Sequence, residues 1–251
     1  MPTSIKKFGL AAITLVLLLT MHSCKKESRG SCFMGAGGDA SESRSITLPF
    51  SEIKAEDNIH ILLVQDSLNY IELTGGKNLL PYVETKVVDG VLHFENHAKC
   101  QFFKGYEHEI HAVLHFTTFK TIWNWGSGHI TSNDTLHFDT LILNAQESIG
   151  NYELLIDNYK TVANLHTGVS DFILKGKSNN FYSYSRGTGN IFASDLHSDF
   201  AYANNISALD FFVGETKTLE ALIQYKGNVF YRGNPVIQFE SIKGEGQLLR
   251  E

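Results

Sequence analysis

The chain has 251 residues, 43% of them hydrophobic and 12% aromatic, with only four prolines and a formal charge of −6. That composition supports one large packed domain and excludes a disordered chain. The acidic balance also excludes a phosphate-seeking surface, so nucleic acid is not an expected partner.

Lys6 and Lys7 precede an apolar stretch from Phe8 to Met21, and Ser23-Cys24 follows. A charged region, an apolar region and a small residue at a cleavage point read as an export signal. The stretch would span about 21 Å as a helix, against about 30 Å of bilayer hydrocarbon, so removal is expected rather than retention. Ser23-Cys24 resembles the lipobox of bacterial lipoproteins, with Met21 and His22 departing from its usual residues. That resemblance implies a signal over residues 1–23, lipidation at Cys24 and a membrane partner reached through the N-terminal lipid. Lys25-Lys26-Glu27 partly resembles the lysine-then-acid export signal of Bacteroidetes surface lipoproteins. The implied location is the outer membrane, on its periplasmic face or at the cell surface. Without residues 1–23 the chain keeps 19 basic and 27 acidic residues, a formal charge of −8.

Cys32 and Cys100 are the two cysteines left. In an oxidising compartment one disulfide is the simplest count, and two free thiols are the alternative; the spacing fits neither a CxxC redox pair nor a zinc knuckle. Residues 24–45, rich in Ser, Gly and charge, read as a tether. Order is expected from about Ile46, opening residues 46–251 as the folded domain. Ile59, Ile61 and Leu63 alternate with His60 and Leu62 as in a strand. Asp89-Gly90, between two apolar runs, predicts a type I′ hairpin. A short helical turn is expected between Asn78 and Val83, limited by Pro81.

From Gly126 onward a phrase recurs: a small turn residue, a polar residue, an apolar residue. The anchors are Gly128, Gly150, Ser170, Gly189, Ser207, Gly227 and Gly246, at spacings of 22, 20, 19, 18, 20 and 19. Two residues later stand Ile130, Tyr152, Phe172, Ile191, Leu209, Val229 and Leu248, all apolar. One residue later stand His129, Asn151, Asp171, Asn190, Ala208, Asn228 and Gln247, polar in six of seven. A period near 20 predicts stacked coils, with the apolar column piled at about 4.8 Å intervals inside. Five and seven residues before the anchors, two more columns, from Trp123 to Ser241 and from Thr121 to Phe239, are read as inward. A second tight corner is expected at Asn133-Asp134, Asp157-Asn158, Gly176, Asp195, Gly214 and Gly233-Asn234. The ends need covers, assigned to residues 46–116 and to 247–251.

Leu48-Pro49-Phe50-Ser51-Glu52-Ile53, Gly76 to Pro81, Val88 to Leu92, the Trp125-Gly126-Ser127-Gly128-His129-Ile130 corner, Gly187 to Ile191 and Gly227 to Pro235 together resemble the head GIN domain family of autotransporter adhesins. The corners at Gly150 and Ser207 depart from its Gly-Ser-Gly form. Cys32-Phe33 and Lys99-Cys100 resemble a cysteine pair in one branch of the family. The resemblance implies an all-β, right-handed parallel β-helix-like solenoid of about 19–20 residues per coil, related in shape to pectin lyases but lacking their catalytic residues, and a role in adhesion.

Few residues suggest chemistry. His108, Glu109, His111 and His115 invite a metal reading; on a helix His111 and His115 would share a face, but Ile110, Ala112, Leu114 and Phe116 alternate as in a strand. Four strand residues separate the last two imidazoles by about 13 Å, too far for one zinc ion, so no metal is expected. In the column after the anchors only Asp171 is acidic; such Asx residues are expected to bond their own turns. No nucleophile elbow, phosphate loop or carboxylate pair appears. Three residues before their anchors stand Trp125 and Arg186, among Glu147, Thr167, Asn204, Gln224 and Lys243. This column should be exposed, so Trp125 and Arg186 are the candidate ligand-binding residues, with packing of Trp125 on the capping region the other reading. The expectation is a non-enzymatic, cofactor-free, lipid-anchored envelope protein that binds a glycan or a surface protein. A polysaccharide lyase or glycosidase, or a structural lipoprotein, is the alternative.

Overall fold

A computed structural model describes residues 35–98 and 109–251. Cys24, Cys32, Cys100 and His108 lie outside them. The fold is an all-β solenoid of about six turns.

Each coil has two legs. The leg after the Gly-rich corner is formed in turn by β3 (Ile59–Gln65), β7 (Ile110–Phe116), β9 (Ile130–Ser132), the first halves of β11 (Tyr152–Leu165), β12 (Phe172–Ser185) and β13 (Ile191–Asn205), then β14 (Phe211–Val213), β16 (Val229–Tyr231) and β18 (Leu248–Arg250). The leg before the corner comprises β2 (Glu52–Ala55), β6 (Val91–Asn96), β8 (Thr121–Asn124), β10 (Leu136–Ala145), the second halves of β11 to β13, then β15 (Thr216–Ile223) and β17 (Val236–Ile242). Successive coils pair in parallel throughout. The stacking order is not the chain order at the start. The β2–β3 coil lies between the later β6–β7 coil and the β8–β9 coil, since β2 pairs with both β6 and β8 and β3 with both β7 and β9.

The N-terminal end of the stack is closed by antiparallel strands. β4 (Tyr70–Gly76) lies against β7, β1 (Asp39–Ser45) against β4, and β5 (Val83–Val88) against β6. Covering the last parallel rung this way leaves a short, hydrophilic outer edge in β1 rather than an apolar one. The tether therefore ends earlier than Ile46: residues 39–45 are already in the sheet. Arg44 explains why, since its guanidinium donates to the carbonyls of Val83 at 2.7 Å and Leu80 at 3.2 Å and to Thr85 Oγ1 at 2.9 Å. The cover is also narrower than residues 46–116, because β2, β3, β6 and β7 are rungs. The Asp89-Gly90 hairpin forms between β5 and β6 with φ of 50° and 80°, and the helical turn is a single 3-10 turn at Leu80–Tyr82.

Nor do residues 247–251 cover the other end. β18 is the last rung on its leg, paired with β16. β17 beside it is exposed along most of its length, including Val236, Phe239 and Ile242.

Inside, the inward column runs Ile61, Ile130, Tyr152, Phe172, Ile191, Phe211, Val229 and Leu248 in register. All but Leu248, which is partly buried, are fully enclosed. Six of the seven expected residues are correct, and Leu209 is replaced by Phe211. Ser207 and Leu209 are two apart and share a phase along the chain, so the sequence phrase slipped by one period of strand alternation. Leu209 is the true corner equivalent: a Cβ on Gly227 would lie 1.9 Å from its carbonyl oxygen.

The columns read backward from the anchors do not hold. In register, Asn124, Ala145, Leu165, Ser185, Asn205, Ile223 and Ile242 form one column and Trp123, Asn144, Asn164, Tyr184, Asn204, Leu222 and Ser241 its outward neighbour. The corner varies in length, so counting back from it mixes the two faces. The second corner is also gentler than expected in the middle coils. Breaks occur at residues 133–135, 214–215 and 232–235, but β11 to β13 run continuously through Asp157-Asn158, Gly176 and Asp195. In β11 the buried positions shift from 156 and 158 to 161, 163 and 165. One extra residue at the bend turns the strand while its ladder persists. Asn158 fills the inside of that bend, accepting from Phe138 N–H at 2.8 Å and donating to Thr161 Oγ1 at 3.2 Å.

Candidate functional site

The Gly-rich corner brings backbones together so closely that side chains are excluded from it. A Cβ on Gly128, Gly150 or Gly189 would stand 1.8–1.9 Å from the carbonyl oxygen of the coil beneath. None of these three has a positive φ; close approach rather than left-handed backbone is what requires glycine there.

Immediately after the corner, the corrected polar column reads His129, Asn151, Asp171, Asn190, Asp210, Asn228 and Gln247, polar at every coil. The one exception in the sequence phrase, Ala208, was the sign that this coil had been placed two residues early. Five of these side chains, those of His129, Asn151, Asp171, Asp210 and Asn228, bond the backbone of the next coil, not their own turns as expected. Asn151 N–H donates to His129 Nδ1 at 3.0 Å, Asp171 N–H to Asn151 Oδ1 at 2.9 Å, Asn190 N–H to Asp171 Oδ1 at 2.7 Å, and Asn228 N–H to Asp210 Oδ1 at 2.7 Å. His60 begins the row by accepting from His129 N–H at 3.2 Å. Each N–H here points along the solenoid axis past the end of its strand, and the side chain below supplies the acceptor that a ladder would.

The imidazole end of this row is a shallow groove of about 500 Å³ lined by His60, His111, His129, Leu62, Val113 and Ile173 among others. The rings of His111 and His129 each stand 5.1 Å from that of His60. His111 is thus gathered with residues of other coils, while His115 turns to Asp66 at 3.1 Å and stacks on Tyr70 at 4.0 Å. Burial holds the His60 pKa below its ordinary value, with Glu109 opposing and His111 and His129 adding to the depression. Glu109 Oε2 stands 3.7 Å from His60 Nε2 and 3.3 Å from His111 Nε2, and Glu153 also lines the groove.

The outward face of the other leg differs. Trp125, 38% exposed, occupies a column with Gln146, His166, Arg186, Ile206, Gln224 and Lys243, whose N–H groups all donate to the coil beneath. Trp125 and Arg186 therefore do share a column, three coils apart, and Arg186 is exposed. The sequence missed what lies between them. Trp125 and Trp123 rings are 6.3 Å apart, Trp123 and His166 stack at 5.8 Å, and His166 and Tyr184 are 6.0 Å apart. One coil row across, Tyr182 meets Phe200 at 5.5 Å and Tyr202 at 6.4 Å. Lys54 Nζ lies 5.2 Å above the Trp125 ring and Lys160 Nζ 4.8 Å above that of Tyr182. Trp125 N–H donates to Ala55 O at 2.8 Å on the β2 rung rather than on the N-terminal cover, and its side chain is partly exposed.

Amides flank this aromatic track. Asn164 Nδ2 donates to Asn144 Oδ1 at 3.0 Å and Gln224 Nε2 to Asn204 Oδ1 at 2.9 Å. The hydroxyls of Tyr182, Tyr184 and Tyr202 have no hydrogen-bond partner among the described residues. Flat aromatic faces beside amides and hydroxyls suit stacking of a polar ligand with an apolar side.

The fold is a parallel β-solenoid whose corner row is bonded to its own backbone and whose other leg carries outward aromatic rings. Residues 49–235 match the family described as "Putative auto-transporter adhesin, head GIN domain", and the chain belongs to that family. Solved structures agree in fold. A protein of Bacteroides fragilis described as a "putative adhesin" is 21% identical, with a TM-score of 0.74, covering 85% of this chain and 97% of its own. A "putative adhesin" of Parabacteroides distasonis is 21% identical at a TM-score of 0.60, and a "putative lipid binding protein" of the same species is 18% identical at 0.61; each covers 86% of this chain and 98% of its own. No curated protein matches the chain.

Proposed function

We propose that the protein is an exported, lipid-anchored adhesin that binds glycan chains without cleaving them, laying the polymer along the aromatic track from Trp125 to Tyr202. The observation that carries this reading is the gathering of two runs of rings on one outward face. Trp125, Trp123, His166 and Tyr184 follow one another at 5.8–6.3 Å, and Tyr182 meets Phe200 and Tyr202 at 5.5 and 6.4 Å, with the amides of Asn164 and Asn204 beside them. Successive sugar rings of an extended polysaccharide could stack on such a row, each contact modest and the sum considerable. Arg186 stands at its margin, where it would favour acidic sugars. Attachment rests on the lipobox-like Ser23-Cys24, and a non-enzymatic role is supported by the absence of an opposed carboxylate pair on this face among the described residues.

A panel of envelope and host polysaccharides, immobilised and probed with the full chain, tests the reading. Binding without released reducing ends, lost at least tenfold in Trp123→Ala and Trp125→Ala with unchanged unfolding temperature, is expected. Turnover of any bound polymer would favour the enzyme alternative, and retention of binding in both variants would retire the track. Radiolabelled palmitate incorporation that survives Cys24→Ala would remove the anchor.

A further inference from the structure

A second cluster of titratable groups lies on the outward face of β6. There His93, Glu95 and His97 alternate with buried Leu92, Phe94 and Asn96. Glu84 faces Glu95 across the antiparallel β5–β6 pair. Glu56 follows β2 on the other side, its N–H donating to Phe94 O at 2.9 Å. Three adjoining strands thus set three carboxylates in one row, an arrangement that repels unless positive charge compensates it.

The compensation is uneven. Lys54 Nζ lies 2.8 Å from Glu56 and Lys86 Nζ 2.7 Å from Glu84, so each outer carboxylate has its ammonium. The Lys86 hydrogen bond, then that of His97, draws the Glu84 pKa down. The central Glu95 has only imidazoles, with His93 Nδ1 at 3.4 Å from Oε1 and His97 Nε2 at 3.3 Å from Oε2. His93 Nδ1 is shut off from solvent, yet it has no hydrogen-bond partner among the described residues. A buried ring nitrogen aimed at a carboxylate without bonding it is an anomaly that most folds remove.

We propose that Glu56, His93 and Glu95 form a binding site for a divalent transition-metal ion of the zinc class. Their ligand atoms all lie within 4.8 Å of one another. One imidazole nitrogen and two carboxylate oxygens at about 2.0–2.2 Å, with water completing the shell, is an ordinary donor set for such an ion. The ion would occupy the lone pair that His93 leaves unused and would supply the charge that Glu95 lacks. Glu95 turns its second oxygen to His97, which also binds Glu84 at 2.7 Å. Glu84, Glu95 and His97 form a second group within 4.8 Å, so they hold the shared carboxylate in place from the far side. Because Glu56 follows β2 while His93 and Glu95 lie on β6, the ion would pin the out-of-order β2 rung to β6 beside the N-terminal cover. Residues 108–115 carry the metal-like spacing visible in the sequence, whereas Glu56 and His93 come together through a strand order that spacing does not reveal.

The test uses the full chain with its thiols alkylated, so that no cysteine can hold the ion. Calorimetric titration with Zn²⁺ after chelation is expected to show one ion per chain, and Zn²⁺ is expected to raise the unfolding temperature. Both effects should fall at least tenfold in affinity for His93→Ala and Glu95→Gln and persist in His137→Ala, a histidine far from the cluster. No binding by the wild type, or wild-type affinity in His93→Ala, would overturn the proposal. Should His93→Ala fail to fold, Glu56→Gln at its half-exposed position reads the same loss, and unchanged affinity there overturns it equally. The outcome is independent of glycan binding, which uses other residues.

Discussion

The two outward faces of the solenoid use their polar side chains in opposite ways. Along the corner row, His60, His129, Asn151, Asp171 and Asp210 each accept a backbone N–H of the next coil. On the other leg, Asn144, Asn164, Asn204 and Gln224 bond mainly to one another, and the tyrosine hydroxyls beside them bond no described residue. A polar residue that closes the scaffold's own hydrogen bonds is committed, since releasing it would strand a backbone donor. A residue that only touches its neighbours can turn to a ligand at little cost. In a stack where nearly every position repeats, this distinction separates surface that folds the protein from surface that can bind.

The division is tested most severely at the corner itself. Gly189→Val places a Cβ at 1.8 Å from Ser170 O, and the loss is expected to exceed about 4 kcal/mol, enough to abolish the folding transition in circular dichroism. Tyr152 comes next. Its ring is fully buried against Phe172 at 4.7 Å, and its hydroxyl donates to Asn144 O at 2.8 Å. Tyr152→Ala should cost about 3–5 kcal/mol and Tyr152→Phe about 1 kcal/mol, measured by denaturant unfolding. Asp171→Ala strands the Asn190 N–H and should cost about 1–3 kcal/mol, whereas Asp171→Asn, the residue other coils use, should cost much less. By contrast Trp125→Ala and Arg186→Ala should change stability by no more than about 0.5 kcal/mol. A larger loss at Arg186 than at Asp171 would invert the assignment of the two faces.

How much of this was legible beforehand follows from what repeats. The anchor-plus-two column identified the core because parity is conserved from the corner forward: Ile130, Tyr152, Phe172, Ile191, Val229 and Leu248 all stand where expected. Counting backward failed because corners differ in length, and Leu209 was misplaced because a slip of two residues preserves parity. The candidate site was legible only as Trp125 and Arg186. Trp123, His166, Tyr184 and Tyr202 adjoin them through register between coils about 20 residues apart, which a linear reading can recover only if every corner is counted correctly. The order of the first rungs was not legible at all, since nothing local tells β6 to stack outside β2.

The smallest expected effect is a pH dependence that again falls on the corner row. His60 Nδ1 must stay unprotonated to accept the His129 N–H, and burial holds its pKa below the ordinary value of 6.5. His166, on the opposite leg, is depressed by burial too. For a group whose folded pKa is the lower one, the unfolded chain binds more protons as pH falls below about 6.5. The contribution is therefore complete above that value and diminishes as pH falls toward the folded pKa. Unfolding temperature should accordingly decline by a few degrees between pH 7 and pH 5, beyond the change expected from the surface carboxylates. His60→Asn offers the acceptor without the titration, as Asn151 does for Asp171 two coils further on. That variant should match the wild type at pH 7.5 and lose part of the decline, while His166→Asn should lose its own part without altering the corner row. If His60→Asn keeps the whole decline, the first imidazole of the row is not held neutral by its place in the ladder.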